Sequence, residues 1–408
     1  TRHTRSGFIR NRRKDIVMFN NRSLICNVLP VFAALASPAQ AAETSLNDLL
    51  APYTARYELP ALAAAVVKDG VIVAAGAVGT RRYGAQSPVT LNDRFHLGSD
   101  TKAMTALLCA MFVEEGKLRW DSTVGDVFSE ITNMDAGLRR VTITQLLSHT
   151  SGIPGDNEVV EDLLGKAIQQ DGNLDEMRYW LVREWAKQPL QSAPGASFAY
   201  ANMGYVIAGA ILERISGKTW EELITERVFV PLKLDSAGLG PQSSVGRIDS
   251  PVAHAVIDGK TKAFLAGPNG DNPLILGPAG LAHMSVLDFA RWAGWNAGQG
   301  KRAPALVSAT TLRKLHAPVI AMPVKPDAPP GTPPGGRYAL GSGELQVDWA
   351  PEPLMYHGGS NGKNLAHIWV DAKRDFAMVI VTNIGGTKAD DAFRAIAPVL
   401  YTRFANRR

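Results

Sequence analysis

The segment from Phe95 to Val113 places the strongest constraint on the fold of this chain. Ser99 ends an irregular stretch, Lys102 follows three residues later, and residues 103–113 are almost wholly apolar. A helix that is apolar on all sides is typical of a buried core helix rather than a surface helix. The rest of the chain must therefore pack around this segment, with Ser99 and Lys102 at its beginning.

Ser99 and Lys102 form a candidate activated nucleophile. Residues three apart lie on one face of a helix, so the Ser99 hydroxyl and the Lys102 amine can meet. A lysine at the end of a buried helix loses solvation, which lowers its pKa and allows it to act as a base. The positive helix N-terminus also favours negative charge that develops nearby. The spacing alone is not unique, because Ser360 and Lys363 repeat it.

Residues 1–41 are predicted to be a leader and signal peptide that take no part in the fold. After Met18 the chain carries Arg22, an apolar run over residues 24–36 and the small residues Ala39-Gln40-Ala41. This is the pattern of a cleavable secretory signal, here about residues 18–41, and it predicts a periplasmic or secreted protein. The apolar run is too short to span a bilayer and no later run is long enough, so no transmembrane anchor is expected.

Removal of this segment changes the charge of the chain. The full sequence has 43 basic and 38 acidic residues, but residues 1–41 hold seven of the basic and one of the acidic residues, so 36 basic and 37 acidic residues remain. Because the remainder has no basic stripe, a nucleic acid partner is not expected. Cys109 is the one cysteine beyond residue 41, so no intrachain disulfide can form in the mature chain.

The order of the predicted elements indicates an antiparallel sheet interrupted by a helical block. Apolar runs around the turn Lys68-Asp69-Gly70 predict an early hairpin, and further strand patterns lie near the C-terminus. Between them, helical patterns dominate residues 101–240, and residues 317–336, with seven prolines, are predicted to be a long loop. Pairing of the early and late strands would place Ser99 at the seam between two lobes. The predicted helices include residues 45–57 (capped by Ser45), 143–147, 176–187, 204–216 and 388–404, and the predicted strands are residues 62–78 as the hairpin, 339–347, 365–370 and 376–382.

Tyr200-Ala201-Asn202 supplies the proton shuttle that a serine–lysine pair needs. It is the one Tyr-x-Asn in the chain. A phenol near one or two cations can share or lose its proton below its usual pKa of about 10. The Asn202 amide can accept a hydrogen bond from Lys102 and donate one to the substrate, which would hold both in place.

His357-Gly358-Gly359-Ser360 falls at the end of a predicted strand and offers the second half of an oxyanion hole. Glycines there allow a substrate to approach the backbone, and the Ser360 N–H can pair with the Ser99 N–H around a tetrahedral oxyanion. Residues 358–362 also fit the Gly-x-Ser-x-Gly elbow of α/β-hydrolases, in which Ser360 would be the nucleophile. A strand rather than a helix is predicted to follow Ser360, so we favour Ser99.

Ser99-Asp100-Thr101-Lys102, Tyr200-Ala201-Asn202 and His357-Gly358-Gly359, in this order, resemble the three motifs of the serine β-lactamase and penicillin-binding protein superfamily. The Tyr-x-Asn motif is similar to that of the class C branch, which includes D,D-carboxypeptidases, D-aminopeptidases and family VIII carboxylesterases. The resemblance covers roughly residues 45–405. It implies an α+β, β-lactamase-like fold, with an antiparallel sheet flanked by helices and an all-helical lobe. The single domain, residues 42–405, would have an α/β lobe over about residues 44–98 and 336–405 and a helical lobe over about residues 99–335.

The resemblance also implies a role for each motif residue. Ser99 would be the acylated nucleophile, Lys102 the group that helps to deprotonate it, and Tyr200 the general base and acid. The implied substrate-binding residues are Asn202, His357, Gly359 and Ser360, with the Ser360 N–H in the oxyanion hole.

His357 departs from the pattern of the superfamily. It stands where many β-lactam-hydrolysing members keep a lysine that helps to hold a substrate carboxylate, and a histidine is largely neutral at pH 7. This difference disfavours potent β-lactam hydrolysis and makes esters, or peptides recognised differently, more attractive substrates.

The sequence therefore predicts an exported serine hydrolase that cleaves small acyl esters through an acyl-enzyme on Ser99, with weak β-lactamase activity as a secondary expectation. A class C-type β-lactamase, or a D-amino-acid peptidase or D,D-carboxypeptidase, is the enzymatic alternative. A penicillin-binding or sensing protein with little turnover is the alternative from another class. The partner would be a small ester, β-lactam or peptide substrate, and no metal or other cofactor is implied, because the histidines lack metal-ligand spacing.

Overall fold

The computed structural model describes residues 44–265, 270–324 and 335–406, so the predicted leader and signal peptide lie outside it. Its strands form a sheet of nine strands and two smaller sheets of three and two strands. The strands are β1 (Thr44–Ser45), β2 (Ala61–Lys68), β3 (Val71–Gly79), β4 (Arg94–His96), β5 (Gly238–Leu239), β6 (Ala253–Ile257), β7 (Lys260–Phe264), β8 (Ala282–Ser285), β9 (Ile320–Met322), β10 (Gly336–Tyr338), β11 (Gly343–Leu345), β12 (Leu354–Ser360), β13 (Leu365–Asp371) and β14 (Phe376–Thr382).

The nine-stranded sheet has the order β1-β3-β2-β14-β13-β12-β11-β10-β9. Its neighbouring strands pair antiparallel, except for β1 and β3, which are parallel. The predicted early hairpin is β2 and β3, and β2 pairs with β14, so the beginning and the end of the domain meet in the middle of the sheet. This topology confirms the predicted mainly antiparallel sheet built from early and late strands.

Helices cover both faces of this sheet and form a further group beside it. Among the described residues, no helix is long and apolar enough to cross a membrane. The helices are α1 (Asn47–Tyr57), α2 (Thr101–Glu114), α3 (Val124–Val127), α4 (Ile143–Leu147), α5 (Glu158–Ala167), α6 (Leu174–Trp185), α7 (Asn202–Ser216), α8 (Trp220–Ile224), α9 (Gly277–Gly280), α10 (Val286–Ala297), α11 (Ala309–His316) and α12 (Thr387–Phe404), with 3₁₀ turns at Gly98–Asp100, Leu138–Arg140 and Leu274–Leu276 and a π-helical turn at Thr225–Phe229.

The central strands β2, β13 and β14 are buried on both faces, which explains their continuous apolar sequences. On one face, α1 and α12 pack against them, with Phe393 and Leu400 in the core. On the other face lies α10, whose Phe289 and Trp292 join the larger core. Burial of large side chains on both faces stabilises the sheet, because each contributes roughly 1.5–3 kcal/mol when it leaves water.

Helix α2 lies at the centre of the helical group, as its all-round apolar sequence predicts. Residues 104–112 are all buried, and the helix packs against α4, α7, α8 and α9. The 3₁₀ turn Gly98–Asp100 that precedes it contacts the end of β12. Ser99 therefore lies where the helical group meets the sheet, as the sequence predicts.

The N-terminal helix begins later than predicted. Ser45 belongs to β1, where it pairs with Ala75 of β3, and α1 starts at Asn47. The Ser45 hydroxyl accepts only the Asn47 N–H, at 3.3 Å, so it does not cap the helix in the expected way. Pairing with the edge of the sheet has prevailed over the local capping preference of serine.

Part of the loop predicted over residues 317–336 is a strand. Residues Ile320–Met322 form β9 and pair with β10, while residues 325–334 lie outside the described part of the chain. The single strand expected over residues 339–347 is instead a turn that follows β10 and the short strand β11. Gly341 has a φ of 88°, a left-handed conformation that a continuous strand does not contain.

Helix α10 lies within the range predicted for the helical lobe, yet it packs on the sheet. Its neighbours are β2, β3, β13 and β14. The segment after β8 thus returns to the sheet before the chain reaches β9, which the helical periodicity of residues 286–297 alone does not reveal.

The contact between the 3₁₀ turn Gly98–Asp100 and β12 requires a glycine at position 359. A Cβ on Gly359 would overlap the Leu97 carbonyl oxygen and lie 2.8 Å from the Ser99 nitrogen. We expect Gly359→Ala to lower the free energy of unfolding by about 2–3 kcal/mol, because the two backbones must separate. Gly362→Ala is the control: it has a left-handed φ of 76° but open space around the added methyl, so it should lose only about 1 kcal/mol. Urea denaturation measures both, and equal losses would contradict the close approach.

Candidate active site

Ser99 is held in a tight turn at the start of α2. The Thr101 hydroxyl donates to the Gly98 carbonyl at 2.7 Å and accepts the Ala282 N–H at 3.0 Å, which fixes the turn to β8. Gly98 has a left-handed φ of 51°, and a Cβ there would lie 2.5 Å from the Ser360 nitrogen. The turn therefore places Ser99 directly beside the end of β12, with its side chain partly exposed.

Lys102 is fully buried and its amine contacts three oxygen atoms. The Nζ atom lies 2.7 Å from Asn202 Oδ1, 2.7 Å from the Ala279 carbonyl oxygen and 3.0 Å from Ser99 Oγ. The first two oxygens can only accept hydrogen bonds, whereas the serine hydroxyl can also donate. In an uncharged amine, the two N–H bonds therefore point to Asn202 and Ala279, and the lone pair faces the Ser99 hydroxyl.

The protonation state of Lys102 suits this geometry. Burial lowers its pKa to about 7, although the attraction between the amine and Asp156 acts in the opposite direction. The expected desolvated lysine is thus present, and a substantial fraction of the amine is uncharged at neutral pH. Lys102 is positioned to take the Ser99 proton.

Tyr200 approaches the same pair but differs from the sequence expectation. Its ring centre lies 4.8 Å from Lys102 Nζ, and its hydroxyl interacts with Ser99. Burial raises the pKa of the phenol, and the hydrogen bond with Ser99 only partly opposes this. The prediction that neighbouring cations lower the Tyr200 pKa is therefore wrong, because loss of solvation has the largest effect on the phenol. Tyr200 is suited to relay a proton as a neutral phenol rather than to act as a phenolate.

An aromatic group beneath Tyr200 holds it in place. The His149 ring packs 4.2 Å from the Tyr200 ring and 4.8 Å from that of Tyr338, centre to centre. His149 Nδ1 accepts the Ala201 N–H at 3.2 Å, and burial keeps the pKa of this histidine well below its usual value. His149 is thus a neutral positioning residue.

Asn202, at the start of α7, links Lys102 to a residue that the sequence analysis missed. Its Oδ1 accepts from Lys102, and its Nδ2 donates to Asp156 Oδ2 at 2.6 Å. The predicted lysine contact is present, whereas the amide donor expected for the substrate is taken by Asp156. No sequence motif identifies Asp156 as a partner of Asn202, because it lies in an irregular segment far from Asn202 in the sequence.

His357 lies on β12 and is buried next to Asp100. Its Nε2 is 3.0 Å from the Tyr338 hydroxyl and its Nδ1 is 3.6 Å from Asp100 Oδ1. Burial lowers the pKa of His357 to about 3, with Lys102 acting in the same direction, and raises that of Asp100 well above its usual value. Both side chains therefore favour their uncharged forms, and His357 offers no fixed positive charge to a substrate carboxylate.

Ser360 contributes its backbone to the site rather than its side chain. Its hydroxyl donates to the Asn364 carbonyl at 2.9 Å and accepts the Gly362 N–H at 3.0 Å. The Lys363 amine lies over the Phe264 ring, 5.3 Å from its centre, and forms no pair with Ser360. This geometry favours Ser99 over Ser360 as the nucleophile, because only Ser99 has a base beside it.

A buried polar bridge connects the Ser99 turn to the end of β12. The Gly98 N–H donates to His96 Nδ1 at 3.0 Å, so the His96 proton lies on Nε2, which is 3.0 Å from Asp271 Oδ2. Asn361 Nδ2 donates to Asp271 Oδ1 at 2.8 Å. The bridge of His96, Asp271 and Asn361 thus ties together the two backbone segments that carry the Ser99 and Ser360 N–H groups.

This bridge could not be identified from the sequence. Its three members lie far apart in the chain, and no local pattern brings them together. Burial disfavours the charged form of Asp271, but His96 and Asn361 hold its pKa below the usual value, so it remains a carboxylate. Within the described residues, no cluster of three or more histidine, cysteine or acidic side chains suits a metal ion.

The chain is similar in sequence and in structure to several known proteins. A family model described as "Beta-lactamase" matches residues 46–401. Penicillin-binding protein 4 of Amycolatopsis lactamdurans is 28% identical over 336 residues, which are 81% of this chain and 82% of that protein. The octameric penicillin-binding protein homologue from Pyrococcus abyssi has a TM-score of 0.69 and 25% identity, and the match covers 86% of this chain and 76% of that chain. The D-amino acid amidase from Ochrobactrum anthropi SV3 shares the fold, with a TM-score of 0.67 and 18% identity over 88% of this chain and 98% of that chain.

The bridge generates a test. We expect Asp271→Asn to slow the maximal rate at which a fluorophosphonate modifies Ser99 by about tenfold, because the N–H groups that receive the phosphonyl oxygen lose their alignment. The probe concentration at half-maximal rate should change little, since the bridge does not contact the probe.

Asp249→Asn is the matched control. Asp249 pairs with Arg94, on the same strand as His96 but at a more exposed position. Time-resolved intact-protein mass spectrometry gives both rates. An unchanged maximal rate in Asp271→Asn, or an equal loss in Asp249→Asn, would remove the bridge from the site.

Proposed function

Because the chain belongs to the beta-lactamase family of serine hydrolases, we propose that it is an exported carboxylesterase of the class C-like branch that cleaves small acyl esters. The observation that carries this proposal is the orientation of the Lys102 amine. Because Asn202 Oδ1 and the Ala279 carbonyl oxygen can only accept hydrogen bonds, the lone pair of the uncharged amine faces Ser99. The pattern of residues 18–41 supports export.

Acylation follows from this geometry. Ser99 Oγ attacks the ester carbonyl carbon while its proton passes to Lys102 Nζ, and the carbonyl oxygen becomes an oxyanion between the Ser99 and Ser360 N–H groups. When the intermediate collapses, the bond to the alcohol oxygen breaks. The alcohol leaves with one proton, relayed from Lys102 through the Tyr200 hydroxyl, and the acyl group remains on Ser99.

Deacylation repeats these steps with water. A water molecule loses a proton to the Tyr200–Lys102 pair and attacks the acyl carbonyl, and the Ser99 oxygen leaves and recovers that proton. The product is the carboxylic acid, and the enzyme returns to its starting state.

The charge of the cleft supports an ester rather than a β-lactam or a carboxylate-terminated peptide. A β-lactam antibiotic carries a carboxylate, which binds well only where a cation receives it. His357 is buried and uncharged, and Lys102 already has three partners. A substrate without a carboxylate therefore fits this cleft better.

Three substitutions test the proposal with a short-chain p-nitrophenyl ester. We expect Ser99→Ala to reduce turnover about a thousandfold or more, because the nucleophile is lost, and Ser360→Ala to retain activity within about tenfold, because its N–H remains. Tyr200→Phe should lose about 10²–10⁴-fold, as removal of a proton relay does.

Intact-protein mass spectrometry and a chromogenic cephalosporin distinguish the alternatives. The proposal predicts rapid ester turnover with slow or no opening of the cephalosporin. Rapid cephalosporin hydrolysis would identify a β-lactamase. A persistent penicillin adduct on Ser99 with little turnover of either compound would identify a penicillin-binding or sensing protein.

A further inference from the structure

Asp100 is a buried acid beside the nucleophile, and the proposed acyl-transfer steps do not use its side chain. It lies in the 3₁₀ turn between Ser99 and α2, with 1% of its surface exposed. Neither carboxyl oxygen has a hydrogen-bond partner among the described residues. A buried carboxylate normally accepts hydrogen bonds, because an unpaired charge away from water is very costly. The lack of donors around Asp100 therefore indicates a carboxylic acid rather than a carboxylate.

His357 faces this acid from β12 with an atom that is also unpartnered. Its Nδ1 lies 3.6 Å from Asp100 Oδ1 and has no hydrogen bond in the described part of the chain, while its Nε2 is 3.0 Å from the Tyr338 hydroxyl. The 3.6 Å gap is too narrow for a bridging water, because two hydrogen bonds in series need a wider one. A carboxylic acid can donate to the Nδ1 of a neutral imidazole, so one proton can serve both groups.

The surroundings of His357 disfavour a charged imidazole. Burial lowers the pKa of His357 to about 3, and Lys102 and His367 act in the same direction. The Gly358 backbone favours the charged ring, but burial has the largest effect. The proton shared by this pair therefore belongs on the acid, and the histidine is neutral.

The groups that face Asp100 do not require an anion there. Lys102 favours the carboxylate, but burial has the larger effect and raises the pKa of Asp100 well above its usual value. The Lys102 amine contacts oxygen atoms of Ser99, Asn202 and Ala279 instead. The tyrosines on which Asp100 acts have pKa values raised by burial, so they are neutral phenols: Tyr200, Tyr338 and Tyr356.

We propose that Asp100 is a positioning residue of the catalytic group, a neutral acid that donates a hydrogen bond to His357 Nδ1 and thereby ties the Ser99 turn to β12. A rotation of the Asp100 side chain that shortens the 3.6 Å gap completes this bond. Because the acid is neutral, the Lys102 amine has no further anion beside Asp156 to hold its proton. The inference rests on the Ser99–Lys102 chemistry of the proposed function and does not depend on which substrate is cleaved.

Two spectra of the resting protein at neutral pH test where the proton lies. The infrared difference between wild type and Asp100→Asn should contain the carbonyl stretch of a protonated carboxyl group. In ¹⁵N NMR, the resonances that disappear in His357→Gln should show a protonated Nε2 and an unprotonated Nδ1. A carboxylate band in place of the carboxyl band, or a proton on Nδ1, overturns the inference. Neither spectrum needs turnover, so the result is separate from that of the esterase proposal.

The rate at which a fluorophosphonate modifies Ser99 tests the positioning role. Asp100→Leu leaves Nδ1 without a donor, so the maximal rate should fall about tenfold. Asp100→Asn should keep the rate within about threefold of the wild type, because its amide still donates to Nδ1. Equal losses in the two variants, or no loss in Asp100→Leu, contradict the hydrogen bond. The spectra decide the question even if Asp100→Leu fails to fold.

An NMR titration of Lys102 tests the charge of Asp100. Asp100→Asn removes no charge from a neutral acid, so the Lys102 midpoint should move by less than about 0.5 pH unit, whereas loss of a neighbouring anion would lower it by about one unit or more. Asp156→Asn is the matched contrast, because Asp156 raises the Lys102 pKa through its charge, and it should lower the midpoint. A fall in Asp100→Asn as large as that in Asp156→Asn overturns the inference.

Discussion

The site depends on the burial of the Lys102 amine between two oxygen atoms that can accept hydrogen bonds but cannot donate them. Asn202 Oδ1 and the Ala279 carbonyl oxygen fix both N–H bonds of an uncharged Lys102, and only the direction of Ser99 remains for its lone pair. This arrangement costs stability. Because the pKa of the buried lysine is about 7 instead of the usual 10.5, the lysine destabilises the native state by about 4 kcal/mol at neutral pH. Since the unfolded chain binds the extra proton between these two pKa values, this destabilisation diminishes as the pH rises from 7 towards 10.5.

The surrounding structure holds Ser99, the Ala279 carbonyl and the Ser360 N–H in place around this amine. Helix α2 supplies Lys102 from a fully buried core, and α9 supplies the carbonyl of Ala279. The oxyanion side requires a close approach of two backbones, which the glycines at positions 98 and 359 allow. The buried bridge of His96, Asp271 and Asn361 spans the same seam. Sheet and helical group are thus joined where the chemistry takes place.

Much of this arrangement could be predicted from the sequence. The all-round apolar sequence of α2, the early hairpin and the late strands indicated a mainly antiparallel sheet with Ser99 at a seam, and the structure confirms this. The fall of the Lys102 pKa was also predictable, because it follows from burial of the helix that carries the residue. Local periodicity could not show that α10 returns to the sheet, or that β9 and β10 pair across the proline-rich segment, because these contacts join distant parts of the chain.

The sequence was least informative about polar groups whose partners lie far away in the chain. Asp156 meets Asn202, and Asp271 meets His96 and Asn361, only through the tertiary fold. The Tyr200 pKa was predicted in the wrong direction, because the cations beside the motif were considered and the loss of solvation was not. The motifs therefore indicated a candidate site, whereas the charge distribution around it required the structure.

The most direct test of the account is an NMR titration of Lys102. In protein labelled with ¹³Cε-lysine, the resonance that disappears in Lys102→Arg belongs to this residue, and its chemical shift reports the protonation of the amine. The account predicts a midpoint at a pH of about 7, well below the usual lysine value of 10.5. A Lys102 midpoint that coincides with those of the exposed lysines would show that the amine remains a cation at neutral pH, and would contradict its role as the base that activates Ser99.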